Sequence, residues 1–214
     1  MKLATIIVTR NSSCHVKTLH TILRFNIRCI QNGTVQNEVT FVNDDSHKKS
    51  ELISSLLKTH DRIFFIDFGI HVDDNSLDVV LAKNDNYGVV VFPGVKEGVN
   101  WEAFKKKVKE ESTEPVDQMA LEFDTDVIAS VTEDVYTVKT TSAKSWVMMT
   151  KPVLKSIRDR RTGNYRIHPK MDVMFSNFKE QGVRLVAYTA AKLIHTYPHE
   201  CIGNIINSTG VKAS

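Results

Sequence analysis

The sequence predicts an α/β fold, a three-layer sandwich with a mostly parallel central sheet and a small antiparallel part. Three observations predict it. Apolar β-rich runs alternate with helix-spaced stretches from the N-terminus, in the order β-α-β-α-β, which calls for right-handed crossovers. The third run, Arg62–Ile66, is apolar on both faces, as a strand covered on each side must be. Short alternating segments between Asp126 and Thr141 fit an antiparallel addition.

Leu3–Thr9 reads as the first strand. Ser12 and Ser13 offer an N-cap, and Val16, Leu19, Leu23, Ile27 and Ile30 recur at three- and four-residue spacing as a helix face, which Gly33 ends. Val39–Val42 is the second strand, followed by a helix capped near Ser46 and marked by Leu52, Ile53, Leu56 and Leu57. Tyr87–Phe92 is a fourth strand, Trp101–Glu111 a helix whose Lys105, Lys106, Lys107 and Lys109 read as a solvated face, Ser145–Met149 a further strand and Val153–Ile157 a short helix. Arg158–Arg166 is polar, basic and glycine-containing, hence a mobile loop. Met171, Met174, Phe175 and Phe178 form the last helix stripe, closed by Gly182 as C-cap and followed by the strand Val183–Ala187.

The 214 residues suit a single domain, 1–214, with a sizeable core. At 42% hydrophobic and 25% charged, the chain is neither disordered nor fibrous in composition. No apolar stretch approaches the roughly 20 residues of a membrane span, and the N-terminus lacks the h-region of a signal peptide. A net charge of +3 is too small for a nucleic-acid-binding face. The cysteines, Cys14, Cys29 and Cys201, are odd in number; on one helix the first two would stand roughly 22 Å apart, too far to bridge. Reduced thiols and a cytoplasmic setting follow.

In a parallel sheet, ligands bind outside the carboxyl ends of the strands. Here those ends carry Thr9-Arg10-Asn11, Asn43-Asp44-Asp45-Ser46 and Asp67-Phe68-Gly69. None is a glycine-rich phosphate cradle, and the absence of GxGxxG and GxxxxGKS/T argues against a dinucleotide fold or a P-loop. Carboxylates at such an edge can take an anionic ligand through a divalent cation. Asp67 is the sharpest candidate, because it follows a wholly apolar strand and its charge is costly there unless paired or metal-bound. Asp73-Asp74-Asn75-Ser76 reads as a capped turn opening a helix. Asp172 sits in a helix's first turn, where the dipole favours its ionised form.

These residues carry a resemblance. Leu3–Asn11 resembles the opening strand of GT-A nucleotide-sugar glycosyltransferases, VNDDS at 42–46 their second strand end, IFFIDFGIHVDDNSL at 63–77 the strand that ends in a DxD metal motif, and MDVMFSNFKEQGVRLVA at 171–187 their acidic helix and following strand. The motifs stand in family order. The resemblance implies a glycosyltransferase that uses a UDP-sugar donor, Mn²⁺ or Mg²⁺, and a glycan or glycoprotein acceptor, with a nucleotide-binding half at about 1–95 and an acceptor half at about 96–214. Thr9, Arg10 and Asn11 would line the uridine pocket, and Asp44 would accept hydrogen bonds from uracil or ribose. Asp67 would hold the metal, and His195 would ligate it or touch the diphosphate. Asp172 would act as base toward the acceptor hydroxyl or orient the sugar.

The chain departs from the family at Gly69, where a second aspartate is expected. Either Asp67 suffices with other ligands, or His71, Asp73 or Asp74 substitutes, or metal dependence is weak. Arg158, Arg160 and Arg161 could fold over the leaving diphosphate; Trp101, Trp146 and Tyr165 could stack on a sugar; His168 and His199 are lesser candidates. The chain also resembles the N-terminal part of larger glycosyltransferases of chlorella viruses that act on the major capsid protein, which implies a multidomain context. Two other readings are a non-catalytic nucleotide-sugar-binding module, suggested by Gly69, and a sugar-nucleotide pyrophosphorylase, opposed by the lack of a glycine-rich first loop.

Overall fold

The computed structural model describes residues 1–84, 86–114, 116, 119–159 and 161–196. Arg160, His199 and Cys201, singled out above, lie outside them. The first half builds β1 (Lys2–Thr9), α1 (Val16–Asn32), β2 (Gln36–Asn43), α2 (Ser46–Leu56), β3 (Arg62–Ile66), β4 (Ile70–Val72), α3 (Asp74–Leu81) and β5 (Val89–Val91). The second half adds α4 (Trp101–Lys109), β6 (Thr125–Thr132), β7 (Val135–Thr141), β8 (Ser145–Met149), α5 (Thr150–Ile157), α6 (Met171–Glu180), β9 (Leu185–Tyr188) and β10 (Leu193–His195).

Eight strands form one sheet in the order β2-β1-β3-β8-β5-β9-β7-β6, and β4 pairs with β10 in a separate two-stranded ribbon. β1 is parallel to β2 and β3, and β5 is parallel to β9, whereas β8 runs against both β3 and β5. β7 opposes both β9 and β6. Most of the sheet therefore points one way, with β8 and β7 reversed.

The alternation of β1 creates two cores. Ala4, Ile6 and Val8 face Ile53, Leu56, Val153, Ile157, Met174, Phe175 and Phe178 of α2, α5 and α6. Leu3 and Ile7 face Ile22, Phe25, Cys29, Leu77 and Val80 of α1 and α3. All five residues of β3 are buried, including Arg62, which donates from Nη1 to the Val80 carbonyl.

Three local features differ from expectation. The apolar stripe of α1 points outward: Val16, Leu19, Leu23, Ile27 and Ile30 are 44% to 77% exposed, while Thr18, Thr21, Ile22, Phe25 and Cys29 are buried. The core helix face is thus mixed, because Thr18 and Thr21 bond β4: the Thr18 hydroxyl donates to the Ile70 carbonyl at 3.0 Å, and Thr21 Oγ1 accepts from Val72 N at 3.1 Å. The N-cap of α1 is His15, not Ser12 or Ser13, with Nδ1 accepting from Lys17 N at 3.2 Å. The serines are unavailable because Arg10–Ser13 closes a two-residue turn in which Asn11 (φ 49°) and Ser12 (φ 58°) both adopt the left-handed conformation. Finally, the described residues on either side of 160, Arg158–Asp159 and Arg161–Arg166, are organised rather than loose. Asp159 Oδ1 accepts from Arg161 N at 2.8 Å and from Thr162 N at 2.7 Å, and those bonds hold its carboxyl below the usual carboxylate range.

Candidate functional site

The parallel run of β2, β1 and β3 delivers Asp44, Thr9–Asn11 and Asp67 to one edge of the sheet. Thr9 Oγ1 donates to the Val42 carbonyl at 3.2 Å, and Asp44 N donates to the Thr9 carbonyl at 2.9 Å, so the two strand ends are laced together. Asp44 takes two cations: Arg10 Nε at 2.9 Å and Lys49 Nζ at 2.8 Å. Burial alone would raise its carboxyl; Lys49 and Arg10 outweigh that and hold it below the ordinary value. The Arg10 guanidinium lies 5.0 Å from the centre of the Phe68 ring, a cation–π contact that carries the cluster across to the β3 loop.

Asp67 continues directly from β3. Its N–H donates to the Lys144 carbonyl and its Oδ1 accepts from Phe68 N, each at 2.9 Å. Burial pushes this carboxyl above the usual range, and the nearby Asp44 charge pushes the same way. Lys49, the Phe68 N–H and Lys144 act in the opposite direction. The carboxylate therefore sits where a cation would stabilise it.

The ribbon supplies the partner. β10 pairs antiparallel with β4, setting His195 opposite Ile70, and Thr196 N donates to the Gly69 carbonyl at 2.9 Å. His195 Nδ1 lies 3.3 Å from the Val95 carbonyl. A carbonyl only accepts, so Nδ1 carries the proton and Nε2 keeps its lone pair. Nε2 stands 3.5 Å from Lys144 Nζ. Burial first, then the Lys144 charge, pushes the imidazole down to about 4, so it is neutral at physiological pH.

Gly69 has a structural cause. Its φ is +77°, and a Cβ there would lie 2.4 Å from the Thr196 carbonyl oxygen. An aspartate cannot occupy this position while β10 stays docked. The possible substitutes are committed elsewhere. His71 Nδ1 contacts Thr21 Oγ1 at 2.9 Å; Asp73 caps α3 and accepts from Lys192 N at 3.0 Å; Asp74 pairs with Arg24 and Arg28.

Asp172 opens α6, which leads into β9, the strand parallel to β5. It is exposed in the first turn of α6 and lines a cavity of about 630 Å³ with Lys96, Asp124, Thr140, Ser142 and Asn177. Asp124 links cavity and edge: it is 7% exposed, and Lys144 acts on its carboxyl as on Asp67 and His195.

The bonds and ring contacts of the other candidates do not involve Asp44, Asp67 or His195. Trp146 is a core residue, stacked on Phe65 with ring centres 4.9 Å apart. The Tyr165 hydroxyl donates to the Ser54 carbonyl at 2.9 Å. Trp101 is exposed at the start of α4. His168 Nδ1 accepts from Lys170 N at 3.1 Å in the turn before α6. Arg158 lines a different cavity, with Lys155, Gln181 and Arg184.

Sequence reasoning missed Lys144 and Asp124. Lys144 reaches the edge because β8 runs antiparallel to β3, so the residue preceding it joins the edge that residues following parallel strands occupy, a pairing direction no local motif announces.

No protein-family model matches the chain, and no curated protein matches its sequence. Among solved structures, the chain is similar to GalNAc-T7 with UDP, GalNAc and Mn²⁺ (TM-score 0.48, 10% identity, covering 93% of this chain and 44% of that one). It is also similar to S. aureus TarS 1–349 (TM-score 0.44, 13% identity, 87% and 58%) and to the inositol-1-phosphate CTP transferase from T. maritima (TM-score 0.42, 9% identity, 97% and 95%). The chain thus spans about half the length of the first two.

Proposed function

We propose that this chain is a glycosyltransferase that moves a sugar from a UDP-sugar to a glycan hydroxyl with the help of a divalent cation. The observation that carries the reading is the meeting of Asp67 and His195 segments through the β4–β10 ribbon, beside the Arg10–Asp44 pair.

The donor chemistry fits a cation. Asp67 offers a carboxylate oxygen made costly by burial, and His195 has its tautomer fixed through Val95 with Nε2 facing Lys144 Nζ, an ammonium that a cation shared between Asp67 and Nε2 would displace. No group of three or more His, Cys, Asp and Glu side chains suited to a metal occurs among the described residues. Two protein donors suit a Mg²⁺- or Mn²⁺-type ion whose remaining positions are filled by substrate phosphates and water. When bound, such an ion would neutralise the charge that builds on the leaving diphosphate.

The chain's own groups do the rest. Asp44 retains one oxygen lone pair beyond each of its ion pairs, enough to accept from a nucleoside hydroxyl or N–H. Thr9–Asn11 and the Phe68 face border the same place. The Lys144 ammonium adds positive charge where UDP departs, a contribution realised most fully in the transition state. Asp172 faces the cavity and takes the proton of the attacking hydroxyl as the new bond to the anomeric carbon forms and the bond to the diphosphate breaks. The family resemblance supports the uridine specificity, the larger multidomain context and the viral capsid glycan setting.

The test is UDP release from a panel of UDP-sugars with Mn²⁺ and with chelator. Metal-dependent release supports transfer or its hydrolytic side reaction. Tight UDP binding without release from any donor would favour a binding module instead.

A further inference from the structure

We propose that the outward face of α1 is a self-association surface, on which a second copy of this chain packs antiparallel about a twofold axis passing beside Leu23.

α1 is apolar on two faces. Ile22, Phe25 and Cys29 are buried with residues of β1 and β3, and the opposite side carries Val16, Leu19, Leu23, Ile27 and Ile30, which are 44% to 77% exposed. At 100° per residue, these five fall within an arc of about 80°, a stripe roughly 21 Å long. One buried face is enough to dock a surface helix, so a second continuous stripe calls for a second partner. Phe41 extends the surface onto the edge strand β2. It is 56% exposed, and its register with Ile7 puts it on the α1 side of the sheet.

The spacing selects the partner. The intervals between successive stripe residues are three, four, four and three, the same read from either end. An antiparallel copy turned about Leu23 therefore sets Leu23 on Leu23, Leu19 on Ile27, and Val16 on Ile30. That is the isologous pattern of a twofold interface, in which residue i meets j and j meets i. Charge does not oppose it: the stripe positions are all apolar, and Arg24 and Arg28 on the flank are already paired with Asp74 and Asp78. The same pairing disfavours an anionic lipid surface, which draws on unneutralised basic side chains beside an apolar face.

The stripe and Phe41 present roughly 600 Å² of apolar surface, the upper end for a patch on a monomer. Polar neighbours bring the face toward the ~800 Å² a side of a standard interface, so the dimer is weak and concentration-dependent. At the roughly 1 µM of a denaturant melt it is dissociated, and Leu23 and Ile27 behave as surface residues.

The experiment is sedimentation equilibrium from about 1 µM to about 200 µM on the parent chain, on Leu23→Glu, on Leu23→Lys, and on an equimolar mixture of the two variants, with melts at the lowest concentration to check folding. The parent's mean mass should rise from 24.2 kDa toward twice that value. Each variant alone should stay monomeric, and the mixture should recover association, because the twofold sets the two new charges against each other. A parent that stays monomeric throughout would overturn the proposal; if it also sediments with phosphatidylserine vesicles and Leu23→Glu does not, the stripe is a lipid-binding face instead. Undiminished association of both variants would move the contact to another surface and overturn the proposal equally. Loss of association in each variant without recovery in the mixture would overturn the twofold register. Should a Leu23 variant not fold, Ile27→Glu mixed with Leu19→Lys, the positions that the register sets together, carries the same comparison.

Discussion

The carbonyl oxygen of Thr196 stands 2.4 Å from where a Cβ on Gly69 would be. That contact explains why the motif reads Asp67-Phe68-Gly69: docking β10 brings His195 to the edge and leaves no room for a side chain at residue 69. The docking that forbids a side chain at residue 69 is the same docking that sets His195 opposite Ile70.

Introducing an aspartate at residue 69 should therefore harm the protein. Gly69→Asp and Gly69→Ala must both adopt φ near +77° and displace Thr196, at a cost of about 1–3 kcal/mol for the backbone conformation alone. Denaturant melts should show both variants less stable than the parent. Neither should bind Mn²⁺ more tightly.

The outward stripe of α1 gives a contrast within one helix. Leu23→Glu and Ile27→Glu should change stability by no more than about 0.5 kcal/mol, as surface substitutions do. Phe25→Ala, on the buried face, should cost about 3–5 kcal/mol. Equilibrium denaturation measures both.

Cys29 supplies a test of burial that is independent of the site. Burial pushes its thiol up to about 11 from 9.0. Between these values the unfolded chain has already lost the proton that the folded chain keeps. Stability contributed by this group is thus fully present below pH 9 and falls as pH rises toward 11. Cys29→Ala should flatten that decline. In a Cys201→Ser background at neutral pH, alkylation should modify Cys14, which is partly exposed, well before Cys29.

Much of the fold was legible because its signals are local. The runs of β1 and β3, the spacing of α1 and the glycine at the end of α6 each carry their own instruction. Gly182 takes φ +81° and passes its N–H to the Lys179 carbonyl at 3.0 Å, as a helix-terminating glycine does. Which face of α1 is buried was not legible, since Thr18 and Thr21 are used for bonds to a strand 50 residues away. The β4–β10 ribbon was equally hidden: three-residue strands have too little periodicity to announce themselves, and their pairing is set by the fold around them. Asp44, Asp67 and Thr9–Asn11 were legible because they follow apolar parallel strands. Lys144 and Asp124 were not, because they sit before strands in turns whose sequence has no motif.

The central claim is that Asp67 holds a divalent cation for a nucleoside diphosphate. Titration calorimetry of UDP into the parent chain and into Asp67→Ala, each with Mn²⁺ and with chelator, tests it most directly. The parent should bind UDP more tightly with Mn²⁺, and Asp67→Ala should lose that gain while melting as a folded protein. An equal gain from Mn²⁺ in both proteins would contradict the claim.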